Sequence, residues 1–144
     1  MRALLLLVVL AGCDHAAAQN APKPAPKRLK VAWSKVKATP GCFFFSGPDG
    51  RDIQLTGMAM LSQSGTEVTL TFAKATFRGS LTDGGFEVTR RGAHDFDGPW
   101  TVEENIRGGF AGTGVVARYR YTECQQGTKC PNTCTIEAEL ALRP

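Results

Sequence analysis

Trp100-Thr101-Val102-Glu103-Glu104-Asn105-Ile106, followed by the glycine-rich stretch from Gly108 to Gly114 and then by Val115-Val116-Ala117-Arg118-Tyr119-Arg120-Tyr121, decides how this chain folds. Trp100, Val102, Glu104 and Ile106 fall on one side of an extended segment, because side chains alternate across a strand with a period of two. With Gly108-Gly109 as the turn, they stand opposite Ala117, Val115, Thr113 and Ala111. Tyr119 and Tyr121 continue that face. Gly112 and Gly114 share one side of the returning strand, where a missing side chain lets backbones approach and a sheet coil tightly.

The same alternation recurs on both sides of this hairpin. Ile53, Leu55, Gly57, Ala59 and Leu61 alternate with polar and methionine positions, and Val68, Leu70 and Phe72 alternate with Thr69 and Thr71. A Ser64-Gly65 turn sets Leu61 opposite Val68 and Ala59 opposite Leu70. An Asp83-Gly84 turn sets Leu81 opposite Phe86 and Gly79 opposite Val88. The last segment carries Cys134, Ile136, Ala138, Leu140 and Leu142 on one side, with Thr135, Glu137, Glu139 and Arg143 on the other. No stretch shows a helical apolar stripe. The expected fold is therefore all-β: about seven to nine short strands in an antiparallel meander. To hide its edges, such a meander closes into a small calycin-like barrel, the preferred form, or packs as a sandwich.

The first residues read differently. A basic Met1-Arg2 precedes an apolar run of nine residues, Ala3 to Ala11. That is the layout of an export signal, and it is far shorter than the ~20 residues a spanning helix needs. The run closes on Leu10-Ala11-Gly12-Cys13, which resembles the lipobox of bacterial lipoproteins at all four positions. The resemblance covers only these first residues. It implies diacylglyceryl transfer to the Cys13 sulfur, cleavage before that cysteine and acylation, commonly with palmitate, of the new amino terminus. It places the protein in the bacterial cell envelope, lipid-anchored, with its domain in the periplasm or at the cell surface. One acyl chain holds a protein to a bilayer only marginally, whereas two or three hold it stably. Residues 1–12 are then the signal peptide, 13–30 the lipidated cysteine and an Ala/Pro/Lys tether, and 31–144 a single β-domain. The alternating Pro22, Pro24 and Pro26 make the tether stiff and extended.

This reading also sorts the cysteines. With Cys13 given to lipid, Cys42, Cys124, Cys130 and Cys134 remain, an even set in an oxidising compartment that points to two disulfides. Their spacing fits no common zinc site, and no metal is expected. If Tyr119 and Tyr121 point inward, Cys124 points outward while Cys134 faces inward, which disfavours a bridge between those two. Two connectivities remain, of which Cys124–Cys130 with Cys42–Cys134 is the preferred one.

Formal charge is +4 over the whole chain, but from Val31 onward twelve Lys and Arg stand against twelve Asp and Glu. No basic domain surface for nucleic acid follows from composition. The glycine-rich stretch lies between strands with no following helix to receive a phosphate, so a nucleotide cofactor is not expected. No catalytic residue is assigned. His94, Asp95 and Asp97 are the one place where a histidine meets carboxylates, and turn composition there makes it a loop between strands. Glu104 lies on an apolar face, where an unpartnered carboxylate is costly or becomes protonated, so it should pair with Thr113, a tyrosine or an inward arginine, or lie at an open barrel end. Glu104, His94, Asp95 and Asp97 are thus the candidate ligand or partner contacts. The expected function is a non-enzymatic, membrane-anchored binding or structural module for an envelope partner. A lipocalin-like carrier of a small apolar ligand is the alternative, and a hydrolase built on the His94 loop a more remote one.

Overall fold

A computed structural model describes residues 25–39, 57–72, 75–95, 98–129 and 134–144. They form eight strands: β1 (Lys27–Ala38), β2 (Met58–Ser64), β3 (Glu67–Phe72), β4 (Ala75–Thr82), β5 (Gly85–Asp95), β6 (Pro99–Ala111), β7 (Gly114–Gln125) and β8 (Cys134–Arg143). Each pairs antiparallel with the next, and β1 pairs with β8, so the sheet closes into a barrel in chain order. Closure removes both free edges, which resolves barrel against sandwich. No helix among the described residues is long and apolar enough to cross a membrane.

Alternation predicts the inside of the barrel correctly. Leu61, Val68, Leu70, Phe86, Val88, Ile106, Tyr119, Ile136, Leu140 and Leu142 are almost fully buried, and Leu29 and Phe77 join them. Each large apolar side chain removed from water in this way stabilises the fold by about 1.5–3 kcal/mol. Phe72 and Phe77 meet edge to face at 5.9 Å, and Trp33 meets Tyr119 in the same manner at 5.0 Å. The interior is a packed core of interdigitated rings and branched chains.

Registers are less well predicted than faces. The β4–β5 hairpin has the expected pairs, Leu81 with Phe86 and Gly79 with Val88. In β2–β3 the turn is Gly65-Thr66, so Leu61 opposes Leu70 rather than Val68. In β6–β7 the turn is Gly112-Thr113, so Ile106 opposes Tyr119, Glu104 opposes Tyr121 and Trp100 opposes Gln125. Both corrections are slips by an even number of residues, and an even slip leaves every side chain on its original face. β1 begins at Lys27, so the last residues assigned to the tether belong to the barrel. Leu29 is the cause: it continues the inward phase of Val31 and is buried. Ile53 and Leu55 lie outside the described residues.

β1 carries a bulge between Ser34 and Lys37, where Lys35 takes φ = 52°. The left-handed region costs a side-chain-bearing residue roughly 1–2 kcal/mol. The Lys35 ammonium donates to Glu139 Oε1 at 3.0 Å, but this side chain is 71% exposed and such pairs contribute little. Lys35→Gly is therefore expected to raise stability by about 0.5–1 kcal/mol in urea unfolding, the relief outweighing glycine's added entropy cost. A lower stability would mean that the ion pair, not the backbone, governs this position.

Strand direction sorts the connections. The turns β2–β3, β4–β5 and β6–β7 lie at one end, with the start of β1 and the end of β8. The other four connections leave from the opposite end, the mouth.

Candidate functional site

On the side formed by β5, β6 and β7, the barrel interior changes from apolar to charged toward the mouth. Arg90 on β5, Glu104 on β6 and Tyr121 on β7 occupy one row of directly opposed residues. The row beneath is Val88, Ile106 and Tyr119, and the row nearer the mouth is Gly92, Val102 and Glu123. Glu104 is 2% exposed and Glu123 4%, so two carboxylates lie inside the barrel.

Each has a phenol. Tyr119 donates its hydroxyl hydrogen to Glu104 Oε1 at 2.8 Å, and Tyr121 donates to Glu123 Oε2 at 2.8 Å. The Arg90 guanidinium pairs with the other oxygen of Glu104. Arg90 also lies over the Phe77 ring, 5.8 Å from its centroid, and its side chain is 39% exposed. A buried carboxylate is stable only when its lone pairs are taken up and its charge is met, and this arrangement supplies both for Glu104. Burial raises the Tyr119 phenol far above the usual tyrosine range, with the neighbouring Glu104 charge adding to it. Burial likewise raises Tyr121, reinforced by its hydrogen bond to Glu123. Both phenols therefore stay protonated and serve as fixed donors. The unit can hold a ligand's polar group at the mouth through the partly exposed guanidinium. A phenol held neutral this firmly does not supply a general base.

The expected partners for Glu104 were Thr113, a tyrosine or an inward arginine. Tyrosine and arginine both hold, while Thr113 forms the β6–β7 turn and does not oppose Glu104. Arg90 and Glu123 were not singled out, although the same alternation marks them. Arg90 continues the phase of Phe86 and Val88, and Glu123 that of Tyr119 and Tyr121.

The His94 stretch requires a correction. Residues from Arg90 to Asp95 are strand, not loop: β5 continues to Asp95, with His94 opposite Trp100 and Asp95 opposite Pro99. Pairing with a long β6 overrides the turn-forming tendency of Gly92 and its polar neighbours. Asp97 lies outside the described residues, as do Cys13, Cys42 and Cys130. Cys124 and Cys134 are both buried on the adjacent strands β7 and β8. Cys134 opposes Glu123, so Cys124 is on the other face of the sheet from it, as the phase of Tyr121 predicts. Among the described residues no group of histidine, cysteine and carboxylate side chains is placed to hold a metal ion.

A second concavity lies on the outer wall, a groove of about 730 Å³ bordered by Glu87, Arg91, Thr101, Glu103 and Arg120. Its ion pair, Arg91 Nε to Glu103 Oε2 at 3.0 Å, is largely exposed. No known protein family, curated protein or solved structure matches this chain.

Proposed function

We propose that this protein is a lipid-anchored lipoprotein of the bacterial envelope whose barrel is a non-enzymatic binding or structural module, presented to an envelope partner by its mouth. The observation that carries this reading is the polarity of the barrel. β1, the first strand after Cys13 in sequence, begins at the turn end, and the Arg90–Glu104 pair with Tyr119 lies toward the other end. A tether joined at the turn end therefore attaches on the opposite side of the barrel from the polar mouth.

The packed interior favours a module over a carrier. Tyr119, Phe77 and Phe86 are among the largest fully buried side chains, and they occupy the space a carried ligand would need. The apolar hollow bordered by Leu61, Val68 and Phe110 at the turn end is about 100 Å³. A small-molecule pocket is usually about 300 Å³ or more.

Two disulfides complete the reading. The opposite faces of Cys124 and Cys134 argue against a bridge between them, and of the two remaining connectivities Cys124–Cys130 with Cys42–Cys134 is the one proposed. The longer bridge would restrict the unfolded chain by about 4 kcal/mol on the loop-entropy account.

One preparation tests all three statements. The full chain is expressed in a bacterial host, recovered from the membrane fraction in mild detergent, and analysed by native and peptide mass spectrometry. The expected results are a diacylated Cys13 at the mature terminus, peptides linking 124 with 130 and 42 with 134, and no co-purified apolar ligand. An unmodified, soluble Cys13 would remove the anchor, a Cys124–Cys134 peptide would remove the pairing, and a retained ligand would make the protein a carrier.

A further inference from the structure

With Lys27, Arg28 and Lys30 in β1, residues 27–144 carry fifteen Lys and Arg against twelve Asp and Glu, and these charges are not evenly spread. On the outer wall of β6, β7, β8 and β1, Arg107 stands directly opposite Arg118, and Lys30 directly opposite Arg143. Like charges in directly opposed positions destabilise a sheet. The row of Arg107 and Arg118 is flanked by Glu87 on β5 and Glu139 on β8. Glu87 instead accepts from Asn105 Nδ2 at 2.7 Å, and Glu139 from Lys35 at 3.0 Å. Among the described residues no ion pair is made by Arg107, Arg118, Lys30 or Arg143.

Between these two cationic rows runs a third, Gly109, Val116, Ala141 and Ala32, with Val116 60% exposed. Beyond β1, the exposed Met58 and Met60 stand opposite Lys30 and Arg28. Cations thus border small and apolar side chains, and on β6, β7, β8 and β1 these rows lie toward the end where β1 begins. Basic side chains around exposed apolar ones suit the boundary between phosphate headgroups and acyl chains.

We infer that this turn-end wall of the barrel docks on the anionic lipid headgroups of the membrane that holds the tether. The inference rests on the lipid-anchored reading of Cys13. Guanidinium groups take phosphate oxygens in paired hydrogen bonds, so anionic headgroups supply the direct ionic contacts that Arg107, Arg118 and Arg143 do not make among the described residues. Docking also orients the mouth outward, where the tether alone would leave the barrel free to tumble.

Hydrogen exchange on the full lipidated chain tests this, with the chain incorporated either into phosphatidylcholine bilayers or into equal parts of phosphatidylglycerol and phosphatidylcholine. In the anionic bilayer the amides of residues 107–118 and 27–32 should exchange about fivefold more slowly than in the neutral one, while those of β3 and β4 should not change. The difference should vanish in about 0.5 M NaCl, where screening reaches within a few ångström. It should also vanish in R107E/R118E, whose exposed positions leave the core untouched. Equal exchange in the two bilayers, with the chain retained in both, overturns the docking alone. A chain that stays in neither bilayer overturns the anchored reading and the docking with it.

Discussion

Gly85→Val is expected to cost this barrel about 3 kcal/mol or more, the upper range for forcing extra methyl groups into a packed site. Gly85 is buried at the start of β5, where that strand crosses β6. A Cβ there would fall on the Gly108 carbonyl oxygen and within 3.0 Å of the Gly109 Cα. These are backbone atoms of a paired strand, so they cannot rotate aside. Accommodation means opening the β5–β6 ladder at its turn end. Gly79 between β4 and β5 and Gly114 between β7 and β8 face neighbouring backbone in the same way. Glycine recurs where the coiled strands of this barrel come closest. Gly92→Ala is the control: a Cβ there meets nothing within 4 Å and needs no unusual backbone, so its effect should stay within about 0.5 kcal/mol. Urea unfolding of both variants checks the pair, and equal losses would refute close strand approach as the reason for Gly85.

The second large effect is at Glu104. Replacing it by alanine removes the acceptor of Tyr119 and the counter-charge of Arg90 together. Breaking a buried ion pair by deleting one partner costs about 3–5 kcal/mol. Arg90 is partly exposed and can recover some hydration, which places Glu104→Ala at about 3 kcal/mol. Glu104→Gln keeps an oxygen for the Tyr119 hydroxyl and should lose clearly less. Thermal unfolding of the two variants separates the hydrogen bond from the charge. A loss below about 1 kcal/mol in Glu104→Ala would mean that water replaces the carboxylate and that the cluster does not organise the mouth. If the cluster binds a partner as proposed, Glu104→Gln should also weaken that binding; lost stability with unchanged binding would make its role structural.

How much of this was legible depends on the residue. Glu104 was recognisable because it stands between Val102 and Ile106 on a face otherwise apolar. Its actual neighbours were not, because the β6–β7 segment contains glycines at 108, 109, 112 and 114, and more than one pair of residues there can make a tight turn. Moving the turn from Gly108-Gly109 to Gly112-Thr113 replaces Thr113 with Tyr121 as the residue opposite Glu104 without moving any side chain to the other face. Arg90 was obscured by the residues C-terminal to it. Gly92, Gly98 and Pro99 punctuate the stretch as a loop, and only the ladder with β6 keeps β5 extended to Asp95.

Alternation by itself determined that this chain is all-β, which side chains form the core, and that Cys124 and Cys134 face opposite ways. Those are local properties, since a period of two is carried by each strand alone. Tertiary structure decided the rest: closure of β1 on β8, the meeting of Arg90 with Glu104 and Tyr119, and the gathering of Lys30, Arg107, Arg118 and Arg143 on one wall. Residues that become neighbours across a closed sheet are distant in sequence, so a sum of charges conceals where those charges stand.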